Sequence, residues 1–318
     1  MVPSPCSTRN TWRADVGEAP LRVAFQGELG AFSEEAIQLL WLGGAEPLPH
    51  RDFADVVRAV QSGAADRGVL PIENTIVGAI STAHDAIAAG EDLHVVAETV
   101  VNVHHCLLGA PGSTFESIKM VLSHPAALAQ CGVFFARHPR LELHPVYDTG
   151  GAALDVANVA DPQLSAIASR GAAIRYKLSI LMPDIEDRAD NQTRFLVIAR
   201  NPISLPVGTP ARATLIFSHE DRPGALLGVL EPLARHGVDI HRLETRPTGE
   251  PWSYRFFLEF DHGFGEPVFE TVIAEMTAAA HTMRRLGTYP RWNPGRRGSI
   301  GWRSGSIPHR WMTGAAWP

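Results

Sequence analysis

The chain has 318 residues, 45% of them hydrophobic and 19% charged, with a formal net charge of −6. That length suits two domains with real hydrophobic cores, the acidic balance argues against nucleic-acid binding, and no apolar run is long enough to cross a bilayer. Three scattered cysteines, Cys6, Cys106 and Cys131, form neither a disulfide framework nor a metal spacing, so a reducing, cytoplasmic setting is expected.

Residues 1–20 carry charges and no apolar core segment, which reads as a flexible extension and not a secretory signal. Leu21–Gln26 read as a strand. Gly27-Glu28-Leu29-Gly30-Ala31-Phe32-Ser33 follows, then a helix with apolar spacing at Ala36, Ile37 and Leu40. A strand, a Gly loop and a helix N-terminus make an anion site, because unpaired N–H groups and the helix dipole point outward. The segment lacks the full dinucleotide fingerprint, so a small carboxylate suits it better than a nucleotide.

Arg51–Gln61 read as an amphipathic helix closed by Gly63, and Gly68–Ile72 as a strand. Pro71 places that strand at an edge or at its own end. Glu73-Asn74-Thr75 reads as the opening of the next helix, with Asn74 or Thr75 as cap and Glu73 as a first-turn acid. The position is also a strand's C-terminal end, where open α/β sheets bind ligands. His104-His105-Cys106 has no matching ligand set nearby in the sequence, and strand neighbours point apart, so no metal is expected. Ser123-His124-Pro125 opens a helix with proline in its first turn; Gln130 lies two turns beyond Ser123, so both share one face. Val146-Tyr147 end a strand before Asp148-Thr149-Gly150-Gly151 and an Ala-rich helix. Ala166–Ser169 read as a strand and Ala172–Tyr176 as a helix. The alternation up to residue 202 predicts a mostly parallel sheet with helices on both faces.

In Asp184–Ile198 a polar run ends at Thr193, and Phe195–Ile198 read as a short buried strand. Thr193 and Arg194 therefore sit at its mouth, and alternation lets only one of them face a given cleft. The polar clusters at Gly27–Ser33, Glu73–Thr75, Ser123, Thr149–Gly151 and Thr193 converge naturally between two lobes. Pro202–Arg212, with three prolines, reads as a linker. Beyond it the order strand, helix, two strands, helix, strand is the ferredoxin-like βαββαβ arrangement, whose Asp221-Arg222-Pro223-Gly224 turn into a helix suits a small amino acid's carboxylate. No acid follows Glu275, and seven arginines lie from Arg284 onward. The tail, with Trp292, Trp302, Trp311 and Trp317, reads as disordered or partner-dependent.

Taken together, these segments resemble the prephenate dehydratase family, including its arogenate dehydratase branch, over nearly all of residues 21–290. The resemblance rests on Phe25–Ser33, Leu70-Pro-Ile-Glu-Asn74, Val103–Leu107, Ser123–Cys131, Ala166–Ser169 and Thr193-Arg194-Phe195, and for an ACT domain on Arg222–Leu226 and Leu243–Pro247. It implies a two-lobed, periplasmic-binding-protein-like catalytic domain (21–202), a linker (203–211) and an ACT domain (212–290) that senses phenylalanine, between the extension 1–20 and the tail 291–318. A homodimer or homotetramer is implied, without a cofactor. The implied reaction removes carbon dioxide and the ring hydroxyl, giving phenylpyruvate from prephenate or phenylalanine from arogenate. Thr193 matches the family's essential threonine, and Asn74, Ser123 and Gln130 match cleft positions. Glu73 is expected, on the same resemblance, to organise the groups around substrate. Arg194 either pairs with a substrate carboxylate or faces away to brace Asp184–Asp190. Phe195, Gly30, Ala31, Phe32, Ser33, Thr149, Gly150 and Gly151 are expected against substrate, and Gly224, Ala225, Leu226, Glu244, Thr245 and Arg246 against phenylalanine. Gly30-Ala31-Phe32-Ser33 is the variant nearer the arogenate enzymes. Thr149-Gly150-Gly151 and Glu244-Thr245-Arg246-Pro247 also depart from the usual forms. Prephenate versus arogenate therefore stays open, beside the rivals of a non-catalytic anion sensor and a purely regulatory partner.

Overall fold

The computed structural model describes residues 20–292. A first lobe begins with β1 (Leu21–Gln26), α1 (Phe32–Trp41), β2 (Ala45–His50), α2 (Phe53–Ser62), β3 (Arg67–Asn74), β4 (Gly78–Ala79), α3 (Ser81–Ala89) and β5 (His94–Asn102). The chain then crosses into a second lobe built from β6 (Cys106–Gly109), β7 (Met120–Ser123), α4 (Pro125–Ala129), α5 (Gly132–Arg137), β8 (Glu142–Pro145), α6 (Thr149–Val159), β9 (Leu164–Ala168), α7 (Arg170–Tyr176) and β10 (Ser179–Met182). β11 (Gln192–Ala199) returns to the first lobe. A C-terminal unit follows, with β12 (Pro210–Ser218), α8 (Ala225–Arg235), β13 (Ile240–Pro247), β14 (Tyr254–Gly263), α9 (Pro267–Ala279) and β15 (Thr282–Pro290). The three sheets run β2-β1-β3-β11-β5, β10-β6-β9-β7-β8 and β13-β14-β12-β15.

The expected mostly parallel sheet is replaced by two mixed ones. β1 is parallel to β2 and β3, and β7 to β8 and β9. β11 is antiparallel to both β3 and β5, and β6 to β9 and β10. The cause is the double crossing: a strand that leaves a lobe and the strand that returns to it run in opposite directions. Pro71 is not at an edge, because β3 lies between β1 and β11. It is tolerated because the β1 pairing stops at Val69 and β11 shifts register opposite Pro71.

The helix expected at Glu73–Thr75 starts only at Ser81. Asn74 ends β3, and its Oδ1 accepts the N–H groups of Ile76 and Val77 at 2.9 and 3.0 Å, a local side-chain turn that competes with helix formation. Elsewhere local rules hold. Asp52 caps α2, Gly63 at φ +81° ends it, and its buried face is Val56, Val57, Ala59 and Val60.

Strand alternation gives the C-terminal sheet two apolar faces. Phe256, Leu258 and Phe260 of β14 pack under α8 and α9. Phe257, with Leu286 and Tyr289 of β15, joins the core formed by α2, α3 and the first sheet. The approach is close: a Cβ on Gly287 would collide with the Val95 carbonyl on β5. No helix among the described residues is long and apolar enough to cross a membrane. The readings of the extension and the tail fall outside the described residues, except that Arg291 pairs with Asp261 at 3.0 Å and the Trp292 N–H donates to Glu98 at 2.7 Å.

Candidate active site

A cavity of about 870 Å³ lies between the lobes, with Ala31, Phe32, Ser33, Asn74, Thr193 and Phe195 on the first-lobe side and His124, Gln130 and Thr149 on the other. Val103 and His105, on the crossing segment, complete its wall. Its size falls in the range of small-molecule sites, and a mostly apolar lining with a few convergent polar groups fits that use.

Those polar groups form one chain of hydrogen bonds whose directions follow from its first link. Asn74 Oδ1 is committed to two backbone N–H groups, so its Nδ2 is the donor to Thr193 Oγ1 at 3.0 Å and to Asn191 Oδ1 at 2.8 Å. Asn191 Nδ2 must then donate, and it reaches Gln130 Oε1 at 2.9 Å. His105 Nε2 meets the same oxygen at 2.7 Å, which assigns the proton to Nε2. Burial lowers the His105 pKa from its ordinary value, against the opposing Gln130 bond, so the ring is neutral at neutral pH. Two consequences matter. Thr193 receives a bond from Asn74 and is left with its own O–H to give. Gln130, its oxygen doubly occupied, is left with its NH₂ to give.

The glycine loop is held in place from the second lobe. Gly30 has φ +91°, where a side chain would also press on Ala172 and Tyr176. Tyr176 donates to the Leu29 carbonyl at 2.5 Å and Ser169 to that of Gly30 at 3.0 Å. Glu34 accepts the Gly30 N–H at 2.6 Å and is itself gripped by Arg175. No side chain caps α1 at Ala31, so the amides of Phe32 and Ser33 open its N-terminus at the cavity wall. Asp148 caps α6 through the Gly151 N–H at 2.7 Å. Burial pushes its carboxyl pKa up, against the bonds from Gly151 and Glu28.

Several expected site residues are placed elsewhere. Arg194 does not reach the cavity, nor does it brace Asp184–Asp190: alternation with Thr193 sends it through the sheet to Glu98, Glu259 and Glu73. Glu73 follows it, pairing with Arg194 and with Arg242 of β13. Ser123 is fully buried and donates to the Ile167 carbonyl at 2.7 Å. It shares no helix face with Gln130, because Ser123 ends β7, His124 caps α4 and Gln130 already terminates that helix. Gly150 and Gly151 are behind the cavity wall, and a Cβ on Gly150 would come within 2.9 Å of the Ala31 nitrogen. The smallness of Gly150 lets the lobes approach, whereas a Cβ on Gly151 would press on the Tyr147 ring of its own lobe. In the C-terminal unit, the Arg246 guanidinium is taken by Asp85 of α3 at 2.7 and 3.2 Å, and Glu244 lies 3.5 Å from Arg242. Gly224, at φ +80°, opens α8 without a side-chain cap, with Ala225 and Leu226 behind it, and Thr245 is exposed on β13.

The structure also supplies partners that sequence spacing did not. His104 meets Glu186 at 2.8 Å and Asp184 at 3.9 Å. Both acids lie some eighty positions away in the chain, and both already have partners, Asp184 in Arg170 and Glu186 in the His105 N–H. His105 and Asn191 were the site residues missed. Asn191 had a signal: a period of two running back from Phe195 through Thr193 puts it on the cleft face.

A family model for prephenate dehydratase matches residues 23–203, and one for the ACT domain matches residues 213–280. Arogenate dehydratase/prephenate dehydratase 1, chloroplastic, of Arabidopsis thaliana is 33% identical over 305 residues, covering 91% of this chain and 77% of the plant protein. Arogenate dehydratase 1 of Petunia hybrida is 34% identical over 297 residues, covering 87% and 69%. Among solved structures, the prephenate dehydratase of Arthrobacter aurescens in complex with L-Phe has a TM-score of 0.78 at 30% identity, covering 85% of this chain and 90% of that one. GqqA, described as a novel type of quorum quenching acylase, has a TM-score of 0.79 at 32% identity, covering 86% and 100%. With both segments matched in order and the cleft residues gathered as described, the chain belongs to the prephenate dehydratase family and carries a C-terminal ACT domain.

Proposed function

We propose that the chain, a lyase acting within residues 21–202, converts prephenate to phenylpyruvate by decarboxylative dehydration. The observation that carries the reading is the directed bond from Asn74 to Thr193 at the cavity wall. In the reaction the bond from the ring to its carboxylate breaks and carbon dioxide leaves. That electron pair completes the aromatic ring as the carbon–hydroxyl bond breaks on the opposite side. Hydroxide departs and, with one proton, becomes water. Aromatisation drives the bond changes, so the protein's tasks are to hold a dianion and ease the loss of hydroxide. Thr193 gives its O–H to the leaving oxygen, and the Gln130 NH₂ supplies a second neutral donor. Neutral donors stabilise developing charge without adding a competing ion. The open N-terminus of α1 at Phe32 and Ser33, with Thr149 opposite, receives a carboxylate. No cofactor enters this scheme.

Arogenate is the second reading, favoured by the plant relatives' names and by the Gly30–Ser33 variant. It would place an ammonium group in a cavity whose carboxylates already have work: Asp52 and Asp148 cap helices, and Asp85 holds Arg246. This ranks prephenate first. An acylase reading is less well supported, since Thr193 is bonded to an amide and not to a base. The ACT domain is the phenylalanine sensor, through Gly224–Leu226 and Thr245; Arg246 must leave Asp85 to take part. The exposed side of edge strand β13, with Leu243, suits self-association into a dimer or tetramer. Buried, unpaired Cys106 and Cys131 suit a reducing compartment.

The test is purified protein with prephenate and arogenate in parallel, reading phenylpyruvate and phenylalanine, with and without added phenylalanine. Turnover of neither substrate overturns the reading, and phenylalanine binding absent by calorimetry removes the sensor.

A further inference from the structure

β3 and β11 carry two cross-strand pairs in adjacent register positions. Asn74 lies opposite Thr193, and Glu73 lies opposite Arg194. The first pair faces the cleft. The second faces the C-terminal unit, and there Arg194 is 8% exposed. Its Nη1 donates to Glu98 of β5 at 3.0 Å and its Nη2 to Glu259 of β14 at 2.6 Å, while Nε reaches Glu73 at 3.2 Å. Glu98 also accepts from Arg212 of β12 at 3.2 Å. The buried group therefore holds two arginines and two glutamates, and each domain contributes one of each sign. Burial works against the Arg194 charge, and Glu259 and Glu98 outweigh it, so the guanidinium is held more firmly protonated than a free one.

Such a cluster is a poor source of stability, because desolvating four charges cancels most of their attraction. What it does supply is fixed geometry, and it supplies it one peptide bond from Thr193. The register of β11 against β3 shifts immediately after Arg194. On its other side β11 pairs with β5 in regular register through Thr193 and Arg194, and the side chain of Arg194 adds a tether from this strand end to the C-terminal unit.

We propose that Arg194 is a positioning residue for Thr193, held by Glu259, so that the C-terminal unit supplies part of the geometry of the dehydration step. This rests on the reading of Thr193 as donor to the leaving oxygen. Glu259 touches neither cavity nor substrate, and its effect on chemistry travels through Arg194 alone.

The experiment uses the full chain with prephenate and measures kcat and KM for Glu259→Gln, Arg194→Met and the double variant, with Arg284→Met as the control. Arg284 docks the same two domains through the carbonyls of Ile87, Ala88 and Gly90, far from Thr193 in the chain's pairing. Small displacements of a reacting group are costly, so Glu259→Gln is expected to lower kcat about tenfold with KM within about twofold. In the Arg194→Met background the same change should add less than about twofold, since the two act as one unit. Arg284→Met should lower the melting temperature and keep kcat. If Arg194→Met does not fold, Arg194→Lys, which keeps the charge and loses the fork, takes its place in the cycle. A folded Glu259→Gln with wild-type kcat overturns the proposal. So do multiplicative losses in the double variant, or an equal kcat loss in Arg284→Met. A wild-type chain that forms no phenylpyruvate sinks the functional reading and this inference together, whereas an active wild type with an unchanged Glu259→Gln sinks the inference alone.

Discussion

The two faces of the β3–β11 pair are chemical opposites one residue apart. On the cleft face are a hydroxyl and amides, all neutral, and the Thr193 O–H and the Gln130 NH₂ are left free to donate. On the back face, toward the ACT domain, are charges, each saturated by an opposite charge. The difference follows from what each side must do. Groups that stabilise charge as it develops work best when they are neutral, aimed in advance and unspent. Groups that fix two domains against each other work best when fully spent, because a buried charge left unpaired is strongly unfavourable and so enforces one arrangement.

The comparison breaks most sharply at Thr193. Thr193→Ala removes the donor to the leaving oxygen, and kcat for prephenate should fall by about a hundredfold to ten-thousandfold; a loss of only a few-fold would take Thr193 out of the chemistry. Asn74→Asp is the next largest change and keeps the shape. A carboxylate in place of the amide accepts where Nδ2 donated, so it captures the Thr193 O–H and turns it away from substrate. We expect about a hundredfold loss of kcat, together with a lower unfolding midpoint, because the new carboxylate faces the Asn191 and Gln192 oxygens that Nδ2 now serves. Equal activity in Asn74→Asp would mean that the direction of this bond does not matter. On the back face, Gly287→Ala strikes the docking of the two domains, because its Cβ meets the Val95 backbone and not a side chain that can swing aside. It should cost about 1–3 kcal/mol in denaturant unfolding. An unchanged midpoint would show that β15 and β5 are not held this closely.

Much of this architecture was legible before any coordinates. The βαββαβ order of the C-terminal unit was readable because each of its elements is short, periodic and bounded by turn residues. Alternation alone separated Thr193 from Arg194, though not which of them owned the cleft. What stayed illegible was partnership over distance. Glu98, Glu259 and Arg212 are unremarkable residues within strands, and nothing local announces that they surround Arg194. Asn74 was misread as a helix cap because an Asx turn and an N-cap use the same side chain for the same purpose, accepting nearby backbone N–H groups. Ser123 was placed on a helix face with Gln130 because the proline-led start lies so close; the chain at Ser123 is still strand, and His124 is the cap.

The gentlest test of the domain contact uses pH. His84 of α3 is 3% exposed, donates Nδ1–H to the Ile80 carbonyl at 3.0 Å and stands edge-on to Phe257 of the ACT sheet. Burial lowers its pKa from 6.5 to about 4, against the opposing backbone bond. A histidine depressed in the folded state takes up its proton more readily when the chain unfolds. Its contribution to stability is therefore complete above 6.5 and is lost progressively as pH falls toward about 4. His84→Gln removes that one titration and leaves the other buried histidines, His105 among them, in place. The unfolding midpoint of the wild type should thus drop more steeply across this window than that of His84→Gln. Parallel curves would mean that the ring is already charged when folded, and that the interface between Phe257 and α3 is wetter than its burial implies.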